Sequence, residues 1–165
     1  MALEVERKFL LRAYPEDQIA DGTLAVQKVY HIDQTYLALS DGEELRVRRL
    51  KDAATGETEY VLTYKSGFGL VRQEVEQPIS SKLYDELMSK VRLNPLIKER
   101  TIARMPDGMT VEIDRYSQFS LIVVEVEFAS EEEALNFTPP DWFGEDISSS
   151  KLYSNKQLWK KLNHA

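Results

Sequence analysis

Glu4-Val5-Glu6-Arg7-Lys8-Phe9-Leu10 decides how the rest of the chain is read. In an extended strand, successive side chains point to opposite faces, so residues two apart share a face. Glu4, Glu6 and Lys8 therefore lie together on one face, and Leu3, Val5 and Phe9 on the other. The same spacing recurs down the sequence in Arg46/Arg48, Thr63/Lys65, Arg72/Glu74/Glu76, Lys98/Arg100, Glu112/Asp114 and Glu125/Glu127. The alternate positions are often apolar, as with Val111 and Ile113, or Val124, Val126 and Phe128. One such strand is the ordinary wet face of an antiparallel sheet. Taken together, these strands are sorted, some carrying only acids, some only bases, and two both. Like charges side by side on one face are unfavourable unless something sits between them.

Turn signals at Asp41-Gly42, Thr55-Gly56, Ser66-Gly67-Phe68-Gly69 and Pro106-Asp107-Gly108 separate these runs. They predict strands over Leu3–Leu11, Ala25–Ala38 (interrupted), Glu43–Lys51, Glu57–Lys65, Leu70–Pro78, Leu93–Arg104, Met109–Tyr116 and Phe119–Phe128. Three segments read as helices. Ser80 or Ser81 caps one running to about Val91, with Leu83, Leu87 and Val91 on one face. Ser130 caps a short one over Glu131–Asn136, its first-turn glutamates matching the helix dipole. Ser154 caps the last, over Asn155–Leu162. The expected class is α+β, mostly antiparallel β, as one domain over residues 1–165.

If the sheet closes, the charged faces line a tunnel. Long charged side chains inside it require water, ions or ligand, because unpaired buried charge is prohibitive. Acid pairs such as Glu125/Glu127 suit a divalent cation, and base pairs such as Arg46/Arg48 an anion with several oxygens. Carboxylate donors with no cysteine or histidine cluster select Mg²⁺ or Mn²⁺ over Zn²⁺. Arginine forks match phosphate oxygens. The implied ligand is a short phosphate chain with divalent metal.

The net charge of −7 argues against a protein that coats nucleic acid, although net charge does not say where charges sit. No apolar run approaches the roughly 20 residues that cross a bilayer, so no membrane partner is expected. The opening MALEVERKFLL is charged from its fourth residue, unlike a secretory signal, and there is no cysteine. The expected location is cytoplasmic. His31 and His164 are the only histidines and have no supporting ligand set. Neither GxGxxG nor GxxxxGK[ST] occurs. Trp142 and Trp159 read as packing residues, and Tyr36 as either packed or near the tunnel. No self-association signal stands out, and a homodimer across an exposed barrel wall is left open.

Glu4-Val5-Glu6-Arg7-Lys8 resembles the ExExK signature of the CYTH domain, in the triphosphate tunnel metalloenzyme superfamily. The later charged pairs follow in family order, and Lys151-Leu152-Tyr153-Ser154-Asn155-Lys156 is similar to its closing segment, in which a basic residue enters the tunnel. In length the chain resembles the short bacterial inorganic triphosphatase type of this superfamily. The resemblance implies an eight-stranded closed β-tunnel with helices outside, a small-molecule triphosphate held by the bases, and one or two metals held by the acids. Expected metal ligands are Glu4, Glu6, Glu74, Glu76, Glu112, Asp114, Glu125 and Glu127. Expected phosphate contacts are Lys8, Arg46, Arg48, Lys65, Arg72, Lys98, Arg100 and Lys151, with Glu4, Glu6, Lys8 and Lys65 as the catalytic set.

Family activities include inorganic triphosphatase, thiamine triphosphatase and adenylate cyclase. Only Met1-Ala2-Leu3 precede Glu4, where many class IV cyclases carry an extra segment, which favours hydrolysis over cyclisation. A non-catalytic polyphosphate-binding module is the third reading, disfavoured because an anion receptor gains nothing from so many acids. A lysine depressed by neighbouring cations, an acidic side chain or a water acidified by the metal would each serve as proton acceptor.

Overall fold

The computed structural model describes residues 2–164. Eight antiparallel strands close into a barrel in the order β1-β5-β4-β3-β2-β6-β7-β8. They are β1 (Ala2–Leu11), β2 (Ala25–Ser40), β3 (Glu43–Asp52), β4 (Thr58–Ser66), β5 (Val71–Ile79), β6 (Leu96–Arg104), β7 (Thr110–Tyr116) and β8 (Ile122–Glu127). The helices are α1 (Glu16–Ala20), α2 (Ser81–Lys90), α3 (Glu131–Asn136) and α4 (Asn155–Asn163).

The alternation seen in the sequence places apolar side chains outside the barrel and charged ones inside. The main core lies on the outer face of β1, β7 and β8, where Val5, Phe9, Val111, Ile113, Val124 and Val126 are buried against Phe143, Ala134 of α3 and the half-buried Phe137. A second apolar cluster closes one end of the barrel. There Leu158 and Trp159 of α4 meet Tyr36, Leu96, Tyr116 and Val123.

β1 changes partner along its length. Ala2–Val5 pair with β5, whereas Glu6–Leu11 pair with β8. The edge that β5 vacates is covered by a later segment. Leu10 N donates to Glu145 O at 2.9 Å, and Ile147 N to Lys8 O at 2.8 Å. Gly144 makes this approach possible, because a Cβ there would lie 2.6 Å from Leu10 O.

The structure differs from the sequence expectations in three places. β2 is not interrupted. It runs for 16 residues and takes up irregularity as register shifts at Val26/Lys28 and Tyr36/Ala38, since bulges preserve pairing around an extra residue. α2 does not pack through Leu83, which is 45% exposed. Its buried residue is Tyr84, set against Tyr60 of β4 with ring centroids 4.8 Å apart. α1 was not expected, and its five residues are too few to show a periodicity. The serine caps stand as expected: Ser80, Ser130 and Ser154 each accept from a backbone N–H three residues on.

Candidate active site

A cavity of about 280 Å³ runs inside the barrel. Barrel order and side-chain alternation divide its wall into two halves. β5, β1, β8 and β7 are neighbours and present Glu74, Glu76, Glu4, Glu6, Glu125, Glu127 and Glu112. β4, β3 and β6, with β2 between the last two, present Lys65, Arg46, Arg48 and Arg100. Lys8 and Arg72 interrupt the acidic half, and Glu44 the basic half. The cavity lining holds six bases and eight acids, a formal charge of −2. A phosphate chain alone would enter a negative cavity, so it needs accompanying cations.

The two halves contact each other through ion pairs. Lys65 Nζ lies 2.9 Å from Glu4 and 3.3 Å from Glu74. Arg48 is 2.8 Å from Glu76, Arg100 is 2.6 Å from Glu112, and Lys8 is 3.7 Å from Glu125. Glu4 and Glu74 share Lys65, Glu6 and Glu127 have no ion pair among the described residues, and no three carboxylates converge as ligands of one ion there.

Several groups titrate away from their usual range. Burial, then Glu125 and Glu4, raises the Glu6 carboxyl well above it, with Lys65 opposing. Burial, then Glu4 and Glu112, raises Glu127. Arg100 pulls Glu112 down, but burial together with Glu125 and Asp114 leaves it raised. On the other side, burial and then Arg46 and Arg100 lower Arg48 to about 10. Burial lowers Lys98 to about 7 against the pull of Asp114. Arg46, Lys65 and Arg100 are raised and Glu76 and Glu125 lowered despite burial, by charges of opposite sign nearby, so the disfavoured charge is confined to Glu6, Glu112, Glu127, Arg48 and Lys98. The donor set fits a hard divalent cation: carboxylate oxygens, partly buried, crowded and short of positive charge.

Of the residues expected from sequence, Lys98, Asp114 and Lys151 lie outside the cavity lining. Lys98 and Asp114 form a buried pair at 2.9 Å, each side chain 1% exposed. Asp114 also accepts from Arg100 Nε at 2.7 Å and Nη2 at 2.8 Å. Both its oxygens are therefore engaged in holding cations. Lys151 does not enter the tunnel. It sits exposed in the turn before α4, on an adjoining outer cleft of about 660 Å³ shared with Lys156, Lys160 and Phe68. The turn is held elsewhere, with Lys8 Nζ donating to Tyr153 O at 2.9 Å.

Three lining residues were missed or left undecided. Glu44 is 6% exposed inside the barrel, two residues before Arg46, so the same spacing rule finds it. Tyr36 is both packed and lining: its ring lies 5.5 Å from that of Trp159 while it faces the cavity. Asn155 of α4 also reaches the cavity, and no sequence pattern marks it.

The CYTH domain profile matches residues 2–156. The chain belongs to the CYTH domain family. Similar proteins include the inorganic triphosphatase of Nitrosomonas europaea, 36% identical over 158 residues covering 94% of this chain and 95% of the relative. The inorganic triphosphatase of Acetivibrio thermocellus is 25% identical over 162 residues, covering 97% and 95%. The crystal structure of an inorganic triphosphatase superposes with a TM-score of 0.64 at 36% identity, covering 96% of this CYTH chain and 95% of that one. A Pyrococcus horikoshii structure at 23% identity, with a TM-score of 0.60 and coverage of 80% and 82%, shares the fold. No helix among the described residues is long and apolar enough to cross a membrane.

Proposed function

We propose that the protein is a metal-dependent inorganic triphosphatase, cleaving triphosphate with water to pyrophosphate and orthophosphate. The observation that carries this reading is the divided wall around a small cavity of formal charge −2. A pure anion receptor would be net positive, and a pure metal site would have no arginines. At about 280 Å³ the cavity is near the lower bound of ligand sites, roughly 300 Å³. That suits a bare phosphate chain better than a whole nucleotide. The names of the two curated relatives support the same substrate.

Glu4, Glu6, Glu125 and Glu127 would hold Mg²⁺ or Mn²⁺, with Glu74, Glu76 and Glu112 available to a second ion. The metal supplies charge neutralisation and polarises the phosphoryl group. Arg46, Arg48, Arg100, Lys8, Lys65 and Arg72 would grip and align the phosphate oxygens. Asp114 is reassigned from ligand to anchor, since it aims Arg100 at the cavity. Water attacks the terminal phosphorus, the bridging P–O bond breaks, and pyrophosphate leaves. The water proton is assigned to Lys98, whose amine titrates at about 7, near the pH at which a base is effective; because Lys98 lies behind the lining in a pair with Asp114, the transfer runs through an intervening water. We take the domain as residues 1–165, in the cytoplasm, acting on a free small molecule with no nucleic acid or membrane partner. Self-association as a homodimer is left to measurement.

One experiment tests the reading. The protein is incubated with Mg²⁺ or Mn²⁺ and, separately, triphosphate, thiamine triphosphate and ATP, and orthophosphate, pyrophosphate and cyclic AMP are measured. Orthophosphate with pyrophosphate from inorganic triphosphate is expected. Cyclic AMP from ATP would replace this reading by cyclisation, and no product from any substrate would leave a binding module. For the proton assignment, the acid limb of kcat/KM is expected near about pH 7. Lys98→Arg, which keeps the charge but does not titrate, is expected to lose turnover across the pH range.

A further inference from the structure

The barrel-borne groups that line the cavity with a functional polar atom are charged side chains and Tyr36. The remaining one, Asn155, comes from α4, which lies outside the sheet. Its position is fixed from three directions. Ser154 caps α4 by accepting from Gln157 N at 3.2 Å, which makes Asn155 the first helical residue. Lys8 ties the preceding turn to β1 through Tyr153 O. About one turn on, Trp159 is buried against Tyr36.

The amide itself is pinned. The Tyr116 hydroxyl donates to Asn155 Oδ1. Burial, then Asp114 and Glu125, raises the Tyr116 phenol well above its usual range, so it stays protonated and keeps donating. With Oδ1 engaged, Nδ2 is the end of the amide left to donate. Two more donors on the same cavity wall, Arg46 Nε and Arg48 Nε, are buried and unpartnered, in side chains 7% and 6% exposed. The positive end of the α4 dipole adds to this field.

Asn155 also lies beside the junction of two spaces. Its neighbours Ser154 and Lys156 line the 660 Å³ outer cleft, and Glu6, Glu44 and Arg72 line both that cleft and the inner cavity.

We propose that Asn155 donates through Nδ2 to the terminal phosphate at the α4 end of the tunnel and, as the end wall between cavity and outer cleft, restricts the site to the triphosphate chain over longer polyphosphates. This rests on the triphosphatase reading and deepens it. A neutral amide suits the position, because it binds phosphate oxygen without repelling the metal or competing with it. Truncating the side chain removes the donor and joins the inner cavity to a cleft that carries Lys151, Lys156 and Lys160, where a fourth phosphate would find positive charge.

The test compares wild type, Asn155→Ala, Asn155→Asp and Tyr116→Phe, each first checked for an unchanged melting transition. KM and kcat are measured for inorganic triphosphate and tetraphosphate, and the affinity of metal-free protein for triphosphate is measured by calorimetry in chelator. Asn155→Ala is expected to raise the triphosphate KM roughly tenfold with little change in kcat, the size of one hydrogen bond to a charged group. The preference for triphosphate over tetraphosphate should fall by a similar factor. Tyr116→Phe should move both in the same direction by less, and Asn155→Asp should weaken triphosphate binding further than alanine. If Asn155→Ala leaves the triphosphate KM, the metal-free affinity and the chain-length preference within twofold of wild type, the assignment is wrong. Should wild type fail to hydrolyse triphosphate at all, the triphosphatase reading falls instead, and the calorimetric comparison alone decides whether Asn155 contacts the chain.

Discussion

The acidic half of the barrel wall, β5-β1-β8-β7, and the basic half, β4-β3-β2-β6, are built by the same alternation of apolar outside and charged inside, yet they behave as opposites. In the acidic half Glu6 and Glu127 are held above their usual range by burial and by one another's neighbours. In the basic half burial and neighbouring guanidiniums draw Arg48 down to about 10. Each half is uncomfortable for the same reason, confinement with its own kind. The ion pairs across the lumen relieve that only partly. The contrast teaches that one fold rule can build two surfaces of opposite need, as the proposed pairing of metal with triphosphate requires.

The sharpest way to break this symmetry is to neutralise one side at a time. Glu6→Gln on the acidic half and Arg46→Ala on the basic half should each lower turnover by about 10²–10³-fold, comparable with loss of one preorganised charge-stabilising donor. The two losses should differ in kind. Raised metal concentration should partly restore Glu6→Gln, and raised triphosphate should partly restore Arg46→Ala. Identical rescue of both variants by the same additive would mean that the halves are not separate sites.

Next in size is the seam. Asp114→Asn removes the buried anion between Lys98 and Arg100 and should destabilise by about 3–5 kcal/mol, as breaking a buried pair does, read by denaturant melts. Burial acts to raise the Asp114 carboxyl, but Arg100 and Lys98 outweigh it and hold it below the usual range. Its contribution is therefore present above the unfolded value of about 3.9 and is lost as pH falls through the lower folded value. The gap between wild type and Asp114→Asn should accordingly narrow below about pH 3.9. A gap that widens there would refute the sign.

A smaller effect sharpens the mutual dependence. Ligand at ~100 times its dissociation constant stabilises by about 2.7 kcal/mol. Mg²⁺ and triphosphate added together, in a variant too slow to turn over, should raise the melting temperature by more than the sum of their separate effects. Strict additivity would show that the halves do not communicate. The smallest effect is expected outside the barrel. Glu86 and Lys90 of α2 form an exposed i,i+4 pair at 3.0 Å, and Lys90→Ala should leave melting and turnover within error, because solvent screens such pairs.

Much of this was readable from residue order. Two-residue spacing assigns charged faces on seven strands, and the charged residues it names line the cavity except Lys98 and Asp114. Spacing gives a face but not a depth along the barrel axis. For that reason Lys98 and Asp114 read like the other pairs, although they are sealed behind the lining. Lys151 read as an inward base, but the Ser154 cap and the Lys8 bond to Tyr153 set the turn so that it faces out. Glu44 is legible by the same rule, but it stands as a lone acid on a face of bases rather than in a pair of like charge. Asn155 was not legible. Its orientation depends on Tyr116, 39 residues away in the chain and adjacent only once α4 has docked.

The change of partner along β1 has a consequence for how the molecule comes into being. The lumen exists only when the first strand meets the eighth, as in Glu6 opposite Glu127 and Lys8 opposite Glu125. Such distant pairings meet the entropy of closing a long loop before any contact offsets it, and they belong to the slow end of folding, about milliseconds to seconds. On the ribosome, β1 emerges first and waits with both edges open while seven more strands are synthesised. Its even positions carry Glu4, Glu6 and Lys8, and charge of that kind on a waiting strand discourages it from pairing with a neighbouring chain. The residues that later line the tunnel thus also guard the nascent chain before there is a tunnel to line.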